Sequence, residues 1–270
     1  MRHAIFSDIH ANLEALQAVL ADIGKQRADA LACLGDITGY SSNPNECVEL
    51  ARRYNVISIA GNHDLMVAGR QGFEHCSSNV ARQVVLWTQG VVTKDTLAYL
   101  SDLPCMRFIG EKAILFHSSL YSTDQYINST RAAAQSLGIM MERHQPVRIG
   151  FFGHTHIEAV YRISDGGRTR KMQAASFRIE PGFSYLINPG SVGESRDTDP
   201  RASYIIYDDA TGEISFHKVE YDMESARSKN ERNGFGTLLV RPRRSPVQKA
   251  YIRMNRIAYH VLKFMRKAGL

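Results

Sequence analysis

The feature that most constrains the fold of this 270-residue chain is the way short apolar runs end in clusters of polar side chains. Short apolar runs bounded by glycine and polar residues are typical of buried β-strands. The predicted strands span residues 3–7, 30–34, 56–60, 112–116 and 147–152. The clusters that follow them are Asp8 and His10, Asp36, Asn62 with His63 and Asp64, His117, and His154 with His156. Because sites in open α/β sheets form at the carboxyl ends of strands, these clusters can meet in one place.

Helical segments separate these strands, and the second half of the chain changes character. Apolar residues at helical spacing predict helices at 12–23, 79–89, 93–100 and 130–143. Asn43, Pro44 and Glu46 predict a capping box at the start of another helix. Strands at 159–164, 184–187, 202–207 and 213–219 are joined by glycine-containing turns. An α/β half is therefore expected to precede a mostly antiparallel half.

Composition and cysteine spacing exclude several classes of protein. The apolar fraction of 44% suits a globular core, and no apolar stretch reaches the ~18 residues that a membrane-spanning helix needs. The N-terminus turns acidic at Asp8, too early for a signal peptide. The four cysteines form no CxxC pair, which argues against thiolate zinc sites and a disulfide framework. We expect free buried thiols and a cytoplasmic location.

The polar clusters contain the ligand types of a transition-metal site. Asp8 and His10 lie two residues apart, as do His154 and His156, so each pair can point the same way in an extended segment. Nitrogen and oxygen ligands without sulfur suit Mn, Fe, Co, Zn or Ni. Each cluster alone is more often a strand-end turn or a surface histidine. Five of them in order, each at the end of a predicted strand, favour a metal site.

The ordered motifs D-x-H, G-D, G-N-H-D, H and G-H-T-H resemble those of the calcineurin-like metallophosphoesterase superfamily. Residues 35–40, 43–47, 188–193 and 199–204 are similar to the bacterial and archaeal phosphodiesterase-type branch. The resemblance covers roughly residues 1–222. It implies an α/β fold, a four-layer αββα sandwich of two mixed β-sheets flanked by helices, with a catalytic domain over residues 1–225.

The resemblance also implies a site with two divalent ions, of which Mn is favoured over Fe, Zn, Co and Ni. One ion would be held by Asp8, His10 and His156, the other by Asn62, His117 and His154, with Asp36 as the bridge. His63 would be the general acid or a phosphate ligand, and Asp64 would orient it. A hydroxide bridging the ions would attack phosphorus in line.

Three further residues are weaker candidates for substrate contact, and one position departs from the family pattern. Asn12 either contacts substrate or caps its helix, Tyr40 either lines the cleft or packs in it, and Arg196 either grips phosphate or is an exposed loop charge. Ser118 replaces the glycine that usually follows the histidine of the fourth cluster. If that position requires a positive φ, serine costs about 1 kcal/mol or more and could displace His117.

A phosphodiesterase acting on a phosphate ester, possibly a nucleotide, is the function this pattern favours. The alternatives are a phosphomonoesterase or protein phosphatase, a dinucleoside polyphosphate hydrolase, and a non-catalytic metal-binding scaffold. Residues 35–40 read G-D-I-T-G-Y and lack the arginine typical of the phosphatases. A scaffold usually loses a ligand or the general acid, whereas both are present here.

The C-terminal segment is predicted to differ from the rest of the chain. The formal net charge is +6, yet residues 241–270 contain nine Lys/Arg and no Asp/Glu, which leaves the first 240 residues at −3. Residues 226–246 are rich in Gly and Pro toward their end and predict a linker. Residues 247–270 predict a basic amphipathic helix that docks on the body, forms a subunit interface or contacts an acidic surface.

Overall fold

A computed structural model describes residues 1–76 and 78–235, which form two six-stranded mixed β-sheets with helices on their outer faces. The strands are β1 Arg2–Phe6, β2 Ala30–Cys33, β3 Ile57–Ser58, β4 Met106–Ile109, β5 Ala113–Phe116, β6 Ile149–Phe151, β7 Ala159–Ser164, β8 Arg170–Met172, β9 Phe177–Arg178, β10 Phe183–Asn188, β11 Ala202–Asp208 and β12 Glu213–Val219. The helices are α1 Leu13–Lys25, α2 Pro44–Arg53, α3 Asn62–Val67, α4 Asn79–Val91, α5 Lys94–Asp102, α6 Thr130–Arg143 and α7 Met223–Arg232, with a short 3-10 helix at Phe73–His75.

The two halves of the sequence interleave in the sheets. The first sheet has the order β3-β2-β1-β11-β12-β9, in which β1, β2 and β3 are parallel and β11 pairs antiparallel with β1. The second sheet has the order β4-β5-β6-β10-β7-β8, in which β5, β6 and β10 are parallel. Strands from the second half therefore complete both sheets, which makes the described chain one body.

Three apolar layers hold the four structural layers together. The central one lies between the sheets and includes Ile5 and Leu34 of the first sheet and Phe151 of the second, all fully buried. The outer face of the first sheet packs on α1 and α2, and that of the second packs on α6. The predicted sandwich of two mixed sheets flanked by helices is confirmed.

The structure tests the predicted capping residues at the starts of α1 and α2. Asn12 caps α1, as expected for one of its two roles, because its Oδ1 accepts from the Ala15 amide at 3.1 Å. The capping box predicted at Asn43 is wrong, because its side chain makes no cap hydrogen bond. Its amide instead donates to Glu46 Oε1 at 3.0 Å, and its Oδ1 accepts from Lys229 Nζ at 3.2 Å.

The predicted linker begins too early. Residues 226–232 belong to α7, which packs against α1 through an ion pair between Lys229 and Glu14. Residues 233–235 follow α7, and residues 236–246 of the predicted linker and the predicted helix at 247–270 lie outside the described residues. Within the described ranges, no helix is long and apolar enough to cross a membrane.

The cysteines are all free, but their burial varies. Cys33 and Cys47 are buried as expected, and Cys76 is half-buried. Cys105 is exposed, so the expectation of buried thiols is wrong at this position. Cys105 directly precedes β4, a surface-facing edge strand that the sequence patterns did not predict. A cytoplasmic location stays a prediction.

One glycine permits the close approach of two loops. A Cβ on Gly61 would lie 2.1 Å from Asp36 Oδ1 and 2.3 Å from the Asp36 amide nitrogen. The segment after β3 can therefore pack directly on the segment after β2 only while residue 61 has no side chain.

We expect Gly61→Ala to destabilise the fold by about 1–3 kcal/mol, because the new methyl group overpacks the contact with Asp36. Gly138→Ala is the matched control, since this exposed glycine in α6 has open space around its Cβ. That variant should be more stable by about 0.5–1 kcal/mol. Urea unfolding of both proteins gives the comparison, and equal midpoints would contradict the proposed contact.

Candidate metal centre

The polar clusters that follow the strands meet at one end of the sandwich, where both sheets contribute. Asp36 occupies the middle: its Oδ2 lies 3.6 Å from His10 Nε2 and 3.3 Å from His117 Nε2. His117 Nε2 is also 3.1 Å from Asn62 Oδ1. Three triads have ligand atoms within 4.8 Å of one another: Asp8 with His10 and His156, Asp36 with His117 and His154, and His10 with Asp36 and His63. The first triad has the residues of one predicted ligand set, and the second combines His117 and His154 of the other set with Asp36, the predicted bridge.

Four imidazoles are fixed in orientation by backbone carbonyls. His10 Nδ1 donates to Thr38 O at 3.1 Å, and His117 Nδ1 donates to Leu34 O at 2.7 Å. In the same way His156 Nδ1 donates to Glu194 O, and His154 Nε2 donates to Asp124 O at 2.9 Å. A hydrogen bond on one ring nitrogen sets which nitrogen remains available as a ligand. These contacts leave Nε2 of the first three rings, and Nδ1 of His154, for a metal.

Burial and neighbouring charges set the protonation of the cluster. Burial lowers the pKa of His10 and His156 well below the usual range, so both rings are neutral. Burial raises the pKa of Asp8 to about 7. Asp36 is also buried, but the surrounding imidazoles, His117 first, hold the pKa of its carboxyl well below normal. Burial opposes protonation of His117 as well, yet the Asp36 carboxylate raises the pKa of that ring to about 9.

The contact between His10 and His156 tests whether the residues fit a cation. Their Nε2 atoms are 3.0 Å apart, although each ring already donates from Nδ1 and is neutral. Two lone pairs that face each other repel unless an electron-pair acceptor lies beside them, and burial disfavours a proton. Asp8 Oδ1 lies 3.4 Å from His156 Nε2 and adds an oxygen ligand to the two nitrogens. This donor set fits a divalent ion of the Mn to Zn series.

The backbone at the predicted ligands is strained. Asp8, His10, Asp36, His154 and His156 all have φ between 50° and 63°, in the left-handed region that non-glycine residues seldom adopt. Neighbouring loops hold them there: the Asp8 amide donates to Gly35 O at 3.0 Å and the His10 amide to Asp36 O at 2.9 Å. Strain of this kind clusters at functional sites.

Asp64 has a different role from the predicted one of orienting His63. Its carboxylate accepts hydrogen bonds from the amides of Ile37, Thr38 and Gly61 at 3.0–3.1 Å and from the Thr38 hydroxyl at 2.9 Å. Within residues 1–76 and 78–235 no hydrogen bond joins Asp64 to the His63 ring. Asp64 therefore ties the segment after β2 to the segment after β3.

Two side chains at the site each have one nitrogen atom without a hydrogen-bond partner among the described residues. His63 is buried, and its Nδ1 makes no hydrogen bond. Arg196 is half-buried, and its Nε is likewise unpaired. The positive charge of Arg196 acts on Asp8, His10 and His156, and its Nη1 donates to the Tyr126 hydroxyl at 3.3 Å, so the guanidinium lies beside the cluster. Unpaired buried donors are costly, so these groups are suited to a ligand.

Asn12 and Tyr40, the other two weak candidates for substrate contact, lie in different surroundings. Asn12 is fully engaged, because besides capping α1 its amide donates to Gly193 O at 3.0 Å and to the Tyr221 hydroxyl at 3.4 Å. These contacts favour the capping alternative for Asn12, and its contact with substrate stays a prediction. Tyr40 packs at the site, with its ring centroid 4.7 Å from that of His10 and 4.8 Å from that of His63.

Ser118 is not strained, since it is absent from the residues with positive φ. Its hydroxyl instead donates to Ser122 O, which also accepts from the Ser119 amide and hydroxyl at 3.2 Å. The serine that replaces the usual glycine thus closes a tight turn beside His117. The expected displacement of His117 has no conformational cause.

Tyr126 is a site residue that the sequence patterns missed. Its ring stacks on His154 with centroids 4.2 Å apart and an interplanar angle of 19°. Its hydroxyl accepts from Arg196 Nη1 at 3.3 Å. Tyr126 therefore links the arginine to a predicted metal ligand. It follows no predicted strand and belongs to no motif, so no sequence signal marked it.

Comparison with known proteins agrees with this geometry. The family model described as the calcineurin-like phosphoesterase superfamily domain matches residues 1–212. A protein of Methanocaldococcus jannaschii described as uncharacterised is 36% identical over 240 residues, which are 85% of this chain and 92% of the relative.

Solved structures give the same result. The crystal structure of a metallophosphoesterase from Sphaerobacter thermophilus is 36% identical with a TM-score of 0.74, and covers 89% of this chain and 98% of that one. A hypothetical protein from Pyrococcus horikoshii is only 18% identical but has a TM-score of 0.69, over 88% of this chain and 97% of the other, and shows the fold alone. With its motifs assembled in one buried cluster, the chain belongs to the calcineurin-like phosphoesterase superfamily, a family of phosphoester hydrolases.

Proposed function

We propose that this chain is a phosphodiesterase that uses two divalent metal ions, with Mn²⁺ as the favoured ion. The observation that carries the proposal is that two ligand triads lie side by side and that Asp36 borders both. Asp8, His10 and His156 would hold one ion, Asn62, His117 and His154 the other, and Asp36 would contact both. Hydrogen bonds to backbone carbonyls orient His10 and His117, which supports their proposed role as ligands.

Bound ions of this kind activate water and offset negative charge on phosphoryl oxygens. The protein's own residues would orient the ester. Arg196 can donate from its unpaired Nε to a phosphoryl oxygen, while Tyr126 holds the other end of the guanidinium. His63 can donate a hydrogen bond, or a proton when it is charged, to the leaving oxygen through its unpaired Nδ1.

The charge around the site supports a diester over a monoester. Arg196 is a basic residue at the site: its charge acts on the predicted ligands Asp8, His10 and His154, and its Nη1 donates to Tyr126, which stacks on His154. A phosphodiester has a single negative charge, whereas a phosphomonoester approaches two near neutral pH. One arginine beside the metals matches the smaller charge.

The first test compares two chromogenic substrates after metal removal. The chelator-treated protein with added Mn²⁺ should hydrolyse bis-p-nitrophenyl phosphate with a higher kcat/KM than p-nitrophenyl phosphate, and the metal-free protein should hydrolyse neither. A monoester preference would assign a phosphatase instead. No turnover with any divalent ion, in a protein that is folded by circular dichroism, would favour a non-catalytic scaffold.

A pair of variants separates metal binding from turnover. His63→Ala should retain its metal and lose about 10²–10⁴-fold in kcat, because it removes a group that acts on the leaving oxygen. Asp36→Ala should lose metal, because it removes the carboxylate between the two triads. Metal content by mass spectrometry and kcat with the diester give both readouts. A metal-free but folded His63→Ala protein would count against this division of roles.

Arg196 gives a further test with a matched control. Arg196→Ala should lower kcat/KM for the diester by about 10–100-fold, because a charged hydrogen bond contributes about 1.5–3 kcal/mol. Arg196→Lys should recover part of this loss, since lysine keeps the charge without the planar fork. Arg170→Ala, at an exposed position of β8, should match the unmodified protein. Equal kinetics for the two alanine variants would remove Arg196 from the site.

A further inference from the structure

A cavity of about 300 Å³ adjoins the metal centre on the side of His117. It lies between the segment that leads into and through α3, the start of β4, and the turn after β5. Its lining residues are Ala60, Leu65, Cys105, Met106, Phe116, His117, Ser118, Ser119, Leu120, Tyr121, Ser122 and Thr123. Of these lining residues, only His117 is a predicted metal ligand, so the cavity is a separate space beside the metal centre.

The cavity shares a wall with the site. His117 lines it, and the same ring places Nε2 3.3 Å from Asp36 Oδ2. Ala60 and Leu65 flank the Gly-Asn-His-Asp segment that contributes Asn62 to the cluster. A phosphorus atom bound at the metal centre would therefore have this cavity within reach of one of its ester groups.

The lining selects for an uncharged group. Among the residues that the structure describes, no Asp, Glu, Lys or Arg lines the cavity, and Leu65, Phe116 and Ala60 supply a buried apolar surface. Exposed Met106 and Tyr121 extend this surface to the rim, where both are 37% exposed. Small-molecule sites are mostly apolar with a few polar groups and start at about 300 Å³. The space thus suits one ring-bearing substituent and disfavours a second phosphate.

The polar part of the wall is fixed before any ligand binds. The hydroxyls of Ser118 and Ser119 both donate to Ser122 O, and the Ser122 hydroxyl donates to Asp124 Oδ1. Asp124 in turn accepts from His154 Nε2 through its carbonyl at 2.9 Å. The turn that forms the wall is therefore anchored to a predicted metal ligand. A preformed wall lowers the ordering cost of binding.

We propose that this cavity binds an uncharged aromatic ester group of the phosphodiester substrate, which makes it a determinant of substrate choice. The proposal rests on the proposed function and adds the chemical class of one ester substituent. Ser118, which departs from the family pattern, takes part by closing the turn that forms the cavity wall.

The test uses two phosphonates whose P–C bonds resist hydrolysis. In the presence of Mn²⁺, phenylphosphonate should bind the full-length protein about tenfold or more tightly than methylphosphonate, because only the phenyl ring buries apolar surface in the cavity. Titration calorimetry measures both Kd values. Similar affinities for the two ligands would overturn the proposal.

Cys105 offers a way to fill the cavity without changing the metal centre, because this lining residue is exposed and is not one of the predicted metal ligands. Cys105→Trp should abolish the preference for phenylphosphonate while leaving the Kd of methylphosphonate unchanged. Cys105→Ser is the matched control and should keep the preference. A preference that survives in Cys105→Trp would overturn the proposal, since the ring would then bind elsewhere.

Hydrolysis of bis-p-nitrophenyl phosphate by the same preparations distinguishes failure of the cavity assignment from failure of the proposed phosphodiesterase function. Mn²⁺-dependent hydrolysis without a phenyl preference overturns the cavity assignment alone. Absence of hydrolysis together with absence of phosphonate binding overturns both the proposed function and the cavity assignment. Hydrolysis with a phenyl preference that Cys105→Trp removes supports both.

Discussion

The carboxylate of Asp64 is the contact on which the arrangement of the site depends. It is fully buried and accepts hydrogen bonds from Ile37, Thr38 and Gly61, which lie on two different loops. Burial raises its pKa to about 6, an increase that these hydrogen bonds oppose. An unpaired carboxylate at this depth would be very costly, so the loops and the carboxylate stabilise one another. Asp36 lies directly before Ile37 in the loop that follows β2, so the hydrogen bonds of Asp64 to this loop also fix the position of Asp36.

The same junction explains how the fold sustains unfavourable backbone at the ligands. Five predicted ligands have left-handed φ values, each costing about 1–2 kcal/mol relative to ordinary conformations. Two sheets, three apolar layers and the paired loops supply the opposing free energy. The predicted ligands are therefore held by the protein in advance, and a cation bound there would need to reorganise them little.

Sequence reasoning located the strands and the predicted ligands because both signals are local: an apolar run and the polar residues that directly follow it. It missed features that depend on distant contacts. Asp64 bonds to residues 26 and 27 positions earlier, and Tyr126 meets Arg196 across 70 positions. Helix α7 was missed for the same reason, since its polar sequence is helical where it packs on α1. A local sequence pattern contains no information on contacts between residues that lie so far apart in the chain.

The helix α7 and Phe235 lie beyond the range that the family model matches, yet they contact the loop beside the site. Asn230 accepts from the Ser42 hydroxyl at 2.7 Å, and Phe235 packs in one cluster with Tyr40, whose ring meets His10. Because the two segments contact each other, a sequence change in residues 39–43 should be accompanied among relatives by a change in residues 223–235. A recombination that exchanged only the C-terminal segment would therefore place a new α7 against a loop whose side chains are not complementary to it.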